Sequence, residues 1–219
     1  DEVMSNPNAW VFLDLAGTMT AAAPGITRSI AHALERMGQT PPPLSELERY
    51  IGPALQETFP KLGVKDAEAA LAHYRERYTD VGLFENALYD GVHQMMDDLR
   101  DMGFRLAMAT AKPLVYAGRI TDHFDLAPRL DQQFGSELDG RLTDKADLLA
   151  HALAVTGADP AASFMLGDRR HDAIGARANN ITALGALWGF GSRPELEAAH
   201  CAAIAAAPSD IPDIIRSLT

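Results

Sequence analysis

The chain has 219 residues and is 47% apolar, which is enough for one large domain or for a core domain with a smaller appendage. Its net charge of −11 disfavours binding to nucleic acid or to anionic lipid surfaces, because both would repel it at long range. The single cysteine, Cys201, excludes an internal disulfide and disfavours a structural zinc site.

The first predicted element is a buried strand. Residues 10–15 form a continuous apolar run that is interrupted only by Asp14, which is typical of a strand covered on both faces. Gly17 then places the end of this strand on a turn. Ahead of the strand, Asp1 to Val3 precede Met4, and we expect them to be leftover residues that lie before the natural start.

The stretch that follows is predicted to be helical, since nothing between residues 24 and 88 has the pattern of a strand. Apolar residues recur there at helical spacing, and prolines and glycines separate the segments. The predicted elements are a helix over 24–37, a short helix over 44–51, a turn at Gly52-Pro53 and a longer helix that follows an Asp66 N-cap and runs to Tyr78.

From Asp90-Gly91 onward, helices and strands alternate. The predicted strands cover 104–109, 130–134, 163–166 and 181–187, the last of these being the final strand, and the predicted helices cover 92–102, 113–121, 145–155 and 172–178, with two more helical segments at the end. This alternation predicts an α/β fold with a Rossmann-like, doubly wound parallel sheet. We expect a core domain of residues 1–20 and 90–219, with residues 21–89 inserted as an all-helical cap domain.

Polar side chains lie where the predicted strands end. Asp14, Thr110 and Asp168 each follow a buried strand, and ligands of such sheets bind at the carboxyl ends of the strands. A carboxylate there can attack a phosphoryl group if cations neutralise the developing charge. Each residue also has a plain alternative, a turn residue for Asp14 and a helix cap for Thr110.

Two further motifs carry charge at helix starts. Lys145 is a cation at the positive end of a helix dipole, so we expect an anion such as Asp14 or a phosphate to hold it there; a solvated surface lysine is the alternative. Asp168 and Asp172 are four residues apart, which suits a Mg²⁺ site or, alternatively, two carboxylates favoured by the dipole. His171 is interpreted as an ordinary surface residue.

The order of these motifs resembles the haloacid dehalogenase superfamily, and within it the phosphatases similar to phosphoglycolate phosphatase. The matching segments are Asp14-Leu15-Ala16-Gly17-Thr18 for the first motif, Thr110 for the second, Lys145 for the third and Gly167-Asp168 through Asp172 for the fourth. Ile51-Gly52-Pro53 and Leu187-Trp188-Gly189-Phe190-Gly191 resemble this branch in particular. The resemblance spans nearly the whole chain.

The resemblance implies a role for each matching residue. Asp14 would be the nucleophile, Thr110 would bind phosphate and Lys145 would neutralise charge. Mg²⁺ would be held by Asp14, the backbone carbonyl of Ala16 and Asp168, with Asp172 supporting either the waters of the metal or Lys145. The expected substrate is a small phosphorylated metabolite, and its expected contacts are Thr18, Ala111, Lys112, Arg49 and Gly52.

The chain departs from the family pattern at Ala16. Phosphatases of the family carry an Asp there, which protonates the leaving oxygen and then activates water. General acid-base catalysis contributes about 10² to 10⁴ in rate, or roughly 3 to 5 kcal/mol, so we expect slow or absent turnover. A pseudophosphatase that binds phosphate and metal without chemistry is therefore the competing hypothesis.

Two other branches of the family are weaker alternatives. Phosphonatases also have Ala at this position and use a cap lysine, but the nearest lysines, Lys61 and Lys65, lie outside the cap turn at 49–57. A dehalogenase has no use for a metal carboxylate at Asp168.

The longest tract of small apolar residues, 198–208, is shorter than the roughly 20 residues that a membrane helix needs, and we expect a cytoplasmic protein.

Overall fold

A parallel sheet forms the centre of the computed structural model, which describes residues 6–219; Asp1 to Val3, expected to be leftover residues, lie outside that part. Within the described residues the sheet has six strands, in the order β3-β2-β1-β4-β5-β6. They are β1 (Trp10–Leu13), β2 (Arg105–Pro113), β3 (Gln132–Ser136), β4 (Phe164–Gly167), β5 (Thr182–Ala186) and β6 (Ala203–Ala205).

Ten α-helices surround or extend this sheet in the described chain. They are α1 (Ala23–Arg36), α2 (Leu44–Leu47), α3 (Leu55–Lys61), α4 (Ala67–Tyr78), α5 (Val92–Asp101), α6 (Leu114–His123), α7 (Lys145–Thr156), α8 (Arg170–Ala178), α9 (Arg193–Ala198) and α10 (Ile211–Leu218).

Both faces of the sheet are buried, and β1 shows why its sequence is apolar throughout. Successive side chains of a strand point to opposite faces. Val11 and Leu13 join one apolar cluster with α5, α10 and the cap helices, whereas Trp10 and Phe12 join a second cluster with α7 and α8. The doubly wound parallel arrangement predicted from the sequence is confirmed.

Some predicted elements need correction. The strand at 182–186 is not the last, because β6 forms within the small-residue tract that follows Cys201. β2 continues to Pro113 with a register shift after Ala109, so Thr110 lies at an irregular point inside the strand and not beyond its end. The short helix α3, which no pattern predicted, follows the Gly52-Pro53 turn.

The four helices α1 to α4 lie between β1 and β2 in the chain, as predicted, and α1 packs against α4. Asp66 caps α4 by accepting a hydrogen bond from the N–H of Ala69 at 3.1 Å, which confirms the predicted N-cap. The domain boundaries at residues 20–21 and 89–90 stay a prediction. None of the helices within residues 6–219 combines the length and the apolar character needed to cross a membrane.

The two segments that join the helical region to the core lie side by side. The N–H of Ala21 donates to the carbonyl of Ala87 at 2.7 Å, and the N–H of Ala22 donates to the side chain of Asn86 at 2.7 Å. Thr20 and Leu88 form an antiparallel bridge. Entry to and exit from the cap are therefore fixed together above the end of β1.

Candidate active site

Asp14 directly follows β1 and is buried. Its backbone N–H donates to the carbonyl of Leu166 on β4 at 3.0 Å, which continues the pairing of the two strands by one residue. The N–H of Leu15 donates to Oδ1 of Asp14 at 2.8 Å. The sheet thus fixes both the backbone and the carboxylate at this position.

Lys145, the first residue of α7, is buried beside Asp14. Its Nζ lies 3.4 Å from Oδ1 of Asp14 and 3.0 Å from Oδ1 of Asp172, and it donates to the carbonyl of Ala109 at 2.8 Å. Asp144 is the N-cap of this helix, and its carboxylate accepts from the N–H of Asp147. Lys145 is held by anions, as expected, and the alternative of a solvated surface lysine is excluded.

Asp168 follows β4 and is fully buried against the turn after β1. The hydroxyl of Thr18 donates to Oδ1 at 3.3 Å, and the N–H of Phe190 donates to Oδ2 at 2.9 Å. Gly17 has φ +86°, and a Cβ there would lie 2.1 Å from Oδ2 of Asp168. The loop after β1 can approach Asp168 this closely only because residue 17 is glycine.

The charges in this cluster do not balance. Among the described residues, the carboxylates of Asp14, Asp168 and Asp172 are buried, whereas Lys145 is the one buried lysine and pairs with Asp14 and Asp172. Burial, reinforced by the charge of Asp172, raises the pKa of Asp14 to about 7, and burial together with Asp14 raises the pKa of Asp168 well above its ordinary value. Burial also acts to raise the pKa of Asp172, but Lys145 and His171 outweigh it and hold that pKa below its usual range.

This excess of buried negative charge fits a divalent cation. Carboxylate and carbonyl oxygens are the donors that Mg²⁺ prefers. Donor atoms of Asp14, His171 and Asp172 lie within 4.8 Å of one another, but Lys145 already lies between the two carboxylates of that group. Asp168 does not belong to that group, but the charge of Asp14 contributes to its raised pKa, so the two carboxylates lie close enough to repel each other.

A cavity of about 60 Å³ lies between Asp14 and the cap. Its lining includes Asp14, Ala16 and Thr110 from the core, and Asp14 provides the one carboxylate among the described lining residues. Residues of the cap turn and of the tyrosine-bearing helix α4 close the cavity from above. They are Tyr50, Gly52, Pro53, Ala54, Leu71, Tyr74, Arg75 and Tyr78.

Comparison with known proteins agrees with this geometry. Residues 11–186 match the family described as haloacid dehalogenase-like hydrolase. The chain belongs to that family. It is a hydrolase of the class that acts on phosphoric monoesters, and its match to the family extends from β1 to the end of β5.

Several relatives of this haloacid dehalogenase-like hydrolase cover almost the whole chain. A protein of Pseudomonas aeruginosa PAO1 named 5'-nucleotidase is 40% identical over 213 residues, which are 94% of this chain and 96% of that protein. The crystal structure of a predicted phosphatase from Clostridium acetobutylicum has 35% identity and a TM-score of 0.92, covering 96% of this chain and 99% of its own.

Other relatives carry different names. A protein of Mycobacterium tuberculosis H37Rv named tyrosine-protein kinase PtkA is 40% identical over 183 residues, which are 83% of this chain and 62% of that protein. Phosphoglycolate phosphatases also match, at 24 to 29% identity. The branch that the sequence motifs indicated is thus represented among the relatives, at lower identity than the nucleotidase.

The structure brings most of the predicted site residues to this cavity. Thr110, Ala111, Lys112 and Gly52 line it together with Asp14 and Ala16. The hydroxyl of Thr110 accepts a hydrogen bond from the N–H of Lys112 at 3.1 Å and does not cap α6, whose N-cap is Pro113. The alternative of a helix cap is therefore wrong for this threonine.

Two predicted substrate contacts lie elsewhere. Thr18 is buried, donates its hydroxyl to Asp168, and accepts at its carbonyl from Nε1 of Trp188 at 2.9 Å. Arg49 is exposed, and its carbonyl accepts from Arg169 at 2.9 Å. Neither is among the residues that line the cavity, so Thr18 positions Asp168, and Arg49 contributes its backbone to the junction of cap and core.

His171 is not an ordinary surface residue, contrary to the interpretation of the sequence. Its side chain is about three-quarters buried at 26% exposure, and its Nε2 lies 3.7 Å from Oδ1 of Asp172. A Cβ added to Gly52 would lie 2.9 Å from Cε1 of His171. His171 therefore packs under the cap turn, because the turn into α8 brings it beneath a residue 119 positions earlier in the chain.

The tyrosines of the cavity wall were missed as site residues. Tyr74 and Tyr78 have stacked rings with centroids 5.1 Å apart, and Tyr116 meets Tyr78 edge to face at 6.0 Å. Nζ of Lys112 lies 4.5 Å from the centroid of Tyr78. The helical spacing of the tyrosines of α4 indicated core residues, and they are buried in the core. Nothing further in the sequence indicated that they also line a cavity.

Proposed function

We propose that the chain is a Mg²⁺-dependent phosphatase that hydrolyses a small phosphomonoester through an aspartyl-phosphate on Asp14. One observation carries the proposal: Asp14 is buried against Lys145 and is also the carboxylate at the floor of the cavity. The proposed nucleophile thus contacts a cation and also faces the space in which a substrate would bind. The hydroxyl of Thr110 borders the same space.

In the first half-reaction, an oxygen of Asp14 forms a bond to phosphorus while the bond from phosphorus to the ester oxygen breaks. Lys145 offsets charge on the phosphoryl oxygens, and Thr110 offers a hydrogen bond to one of them. In the second half-reaction, water attacks the phosphorus of the aspartyl-phosphate. Asp14 is then released as a carboxylate, and inorganic phosphate is the product.

The residues that would hold Mg²⁺ are Asp14, the backbone carbonyl of Ala16 and Asp168, with Asp172 supporting Lys145 at 3.0 Å. The cation supplies positive charge that favours ionised Asp14 and stabilises charge on the phosphoryl group. Asp14 must be ionised to attack, and a cation beside it would lower its pKa, which burial and Asp172 raise to about 7.

Ala16 limits both half-reactions. Ala16 lines the cavity where the family has an acid, and among the described lining residues no carboxylate replaces that acid. The leaving oxygen must then take its proton from water, and the attacking water has no base. We therefore propose that turnover is slowed by about 10² to 10⁴, while metal and phosphate binding persist.

The substrate is proposed to be compact, phosphoglycolate-like or nucleotide-like. The names of the relatives support both classes. Lys112 and Arg75 line the cavity, and each lies over a tyrosine ring, Tyr78 and Tyr116 respectively. These cations suit a substrate with a second anionic or electron-rich group.

The test is hydrolysis of a generic aryl phosphate by the chain and by its Ala16→Asp variant, each with and without Mg²⁺. The proposal expects activity that depends on Mg²⁺ and rises in the Asp variant. An Asp14→Asn variant in the same background serves as the control and is expected to be inactive. High activity of the alanine form would show that Ala16 does not disable the site.

The second candidate is a pseudophosphatase that binds phosphate and metal without turnover, and Ala16 at the cavity is the observation that favours it. It would be preferred if the Ala16→Asp variant gained no activity while inorganic phosphate still bound. A phosphonatase is less favoured, because Lys61 and Lys65 are exposed and neither is among the residues that line the cavity.

A further inference from the structure

Arg169 connects the loop that carries Asp168 to the cap. It is the next residue in the chain and is buried at 8% exposure. Its Nη1 donates to two cap carbonyls, that of Arg49 at 2.9 Å and that of Ile51 at 2.8 Å. These two acceptors flank Tyr50, which lines the cavity above Asp14.

A second contact fixes the guanidinium from the core side. Nε of Arg169 donates to Oε2 of Glu195 at 2.9 Å, and Nη2 lies 3.4 Å from Oε1 of the same carboxylate. Glu195 also accepts from the N–H of Arg170 at 3.1 Å. A planar guanidinium with a carboxylate on one edge has its remaining N–H groups aimed in a fixed direction, which here is toward the cap turn.

The cap turn approaches Arg169 closely. Gly52 has φ +112°, and a Cβ added there would lie 3.2 Å from Cγ of Arg169 and 2.9 Å from Cε1 of His171. An L side chain at this position would be strained and would also push the turn away from the core. The turn therefore rests directly on the residues that follow Asp168.

We infer that Arg169 is a positioning residue that holds residues 49–53, the first part of the cap turn, closed over the substrate cavity. Arg169 is not among the residues that line the cavity, so it acts through Tyr50, Gly52 and Pro53, which do line it. The identity of the ligand in this inference rests on the proposed function. The contact between Arg169 and the cap turn does not depend on the reaction.

The geometry distinguishes positioning from a purely structural ion pair. If the pair with Glu195 were the whole role, then removing either partner would destabilise the core equally and leave the cap turn unchanged. If Arg169 holds the turn, then its loss releases two backbone acceptors on the cap, while loss of Glu195 leaves both bonds in place. The two variants should therefore differ at residues 49–53.

The first arm of the experiment is hydrogen exchange of the ligand-free full chain, comparing Arg169→Gln, Arg169→Lys and Glu195→Gln. Two hydrogen bonds from a charged donor are lost in the Gln variant, so the amides within residues 49–54, other than Pro53, should exchange about tenfold or more faster than in the parent. Lys should give a partial rescue, and Glu195→Gln should have a smaller effect. The matched control is Arg170→Gln, whose exposed side chain removes the same charge one residue away.

The second arm measures hydrolysis of an aryl phosphate in the Ala16→Asp background. A positioning role raises KM by about tenfold when Arg169 becomes Gln and leaves kcat within about twofold, since Asp14 and Lys145 are untouched. Gly52→Ala should produce the same pattern from the cap side. Thermal unfolding of each variant checks that it is folded.

Unchanged exchange at 49–54 in the Gln variant would overturn the inference, and so would faster exchange accompanied by an unchanged KM. An inactive Ala16→Asp protein would count against the proposed function alone, and the exchange arm would still support or overturn the role of Arg169.

Discussion

Replacing Asp14 with Asn should stabilise the metal-free protein at pH 8, although it removes the proposed nucleophile. Asp14 is buried with two other carboxylates and one lysine, and its pKa rises from 3.8 to about 7 in the folded state. The unfolded chain loses this proton near pH 4, whereas the folded chain keeps it until near pH 7. Over that window the unfolded state binds fewer protons, so stability falls as pH rises.

The magnitude follows from the shift. The difference between 3.8 and about 7 corresponds to at most about 4 kcal/mol of lost stability above pH 7. Asn avoids this loss but also gives up the ion pair with Lys145, so we expect a net gain of about 1 to 3 kcal/mol. For a chain of this size that gain raises Tm by about 2 to 12 °C.

The assay is thermal unfolding in EDTA at pH 5 and pH 8 for the parent, for Asp14→Asn and for Asp80→Asn, an exposed control. The variant should unfold at a higher temperature at pH 8, and the difference should shrink at pH 5, where Asp14 is protonated. Added Mg²⁺ should stabilise the parent more than the variant. A variant that is less stable than the parent at both pH values would refute the charge argument.

Three further predictions concern the cap and the cavity beneath it. Glu85 pairs with Arg77 and Arg28, which hold its pKa below 4.5. Glu85→Gln should therefore lower the free energy of unfolding, measured in urea at pH 7, by about 1 kcal/mol. This loss should vanish as the pH falls below the lowered pKa, and an equal loss at pH 3 would contradict the pairing. Phe59 is fully buried in α3, so Phe59→Ala should lower the free energy of unfolding by about 3 to 5 kcal/mol, and a loss below 1 kcal/mol would show that α3 does not pack as described. In the Ala16→Asp background, Lys112→Met should raise KM for an aryl phosphate about fivefold, whereas Lys65→Met should leave it unchanged; equal effects would indicate only long-range attraction.

The sequence predicted the sheet and the residues at its carboxyl edge because each signal was local. An apolar run that ends in Asp14, and a cation placed at the unfavourable end of a helix at Lys145, are visible in a few consecutive residues. The topology of a parallel sheet then brings these points together without further information. The order of the motifs added the family.

Other features depended on contacts that leave no local pattern. β6 was missed because it is only three residues long and has a single branched residue, Ile204, between two alanines. Arg169 binds backbone carbonyls, which every residue carries, so its partners could not be found from side-chain types. His171 was interpreted as a surface residue, and Arg49 was predicted to contact the substrate, because burial and orientation at the junction of cap and core depend on the docking of two distant segments.

The measurement that tests the central claim most directly is the ratio of kcat/KM between the Ala16→Asp variant and the parent chain, at saturating Mg²⁺, for an alkyl and an aryl phosphate. An alkoxide needs its proton more than a phenolate does, so loss of the acid should cost more with the alkyl ester. We predict a ratio of about 10² to 10⁴ for the alkyl ester and a clearly smaller ratio for the aryl ester. A ratio near one for both esters would contradict the claim that residue 16 limits an otherwise complete phosphatase site.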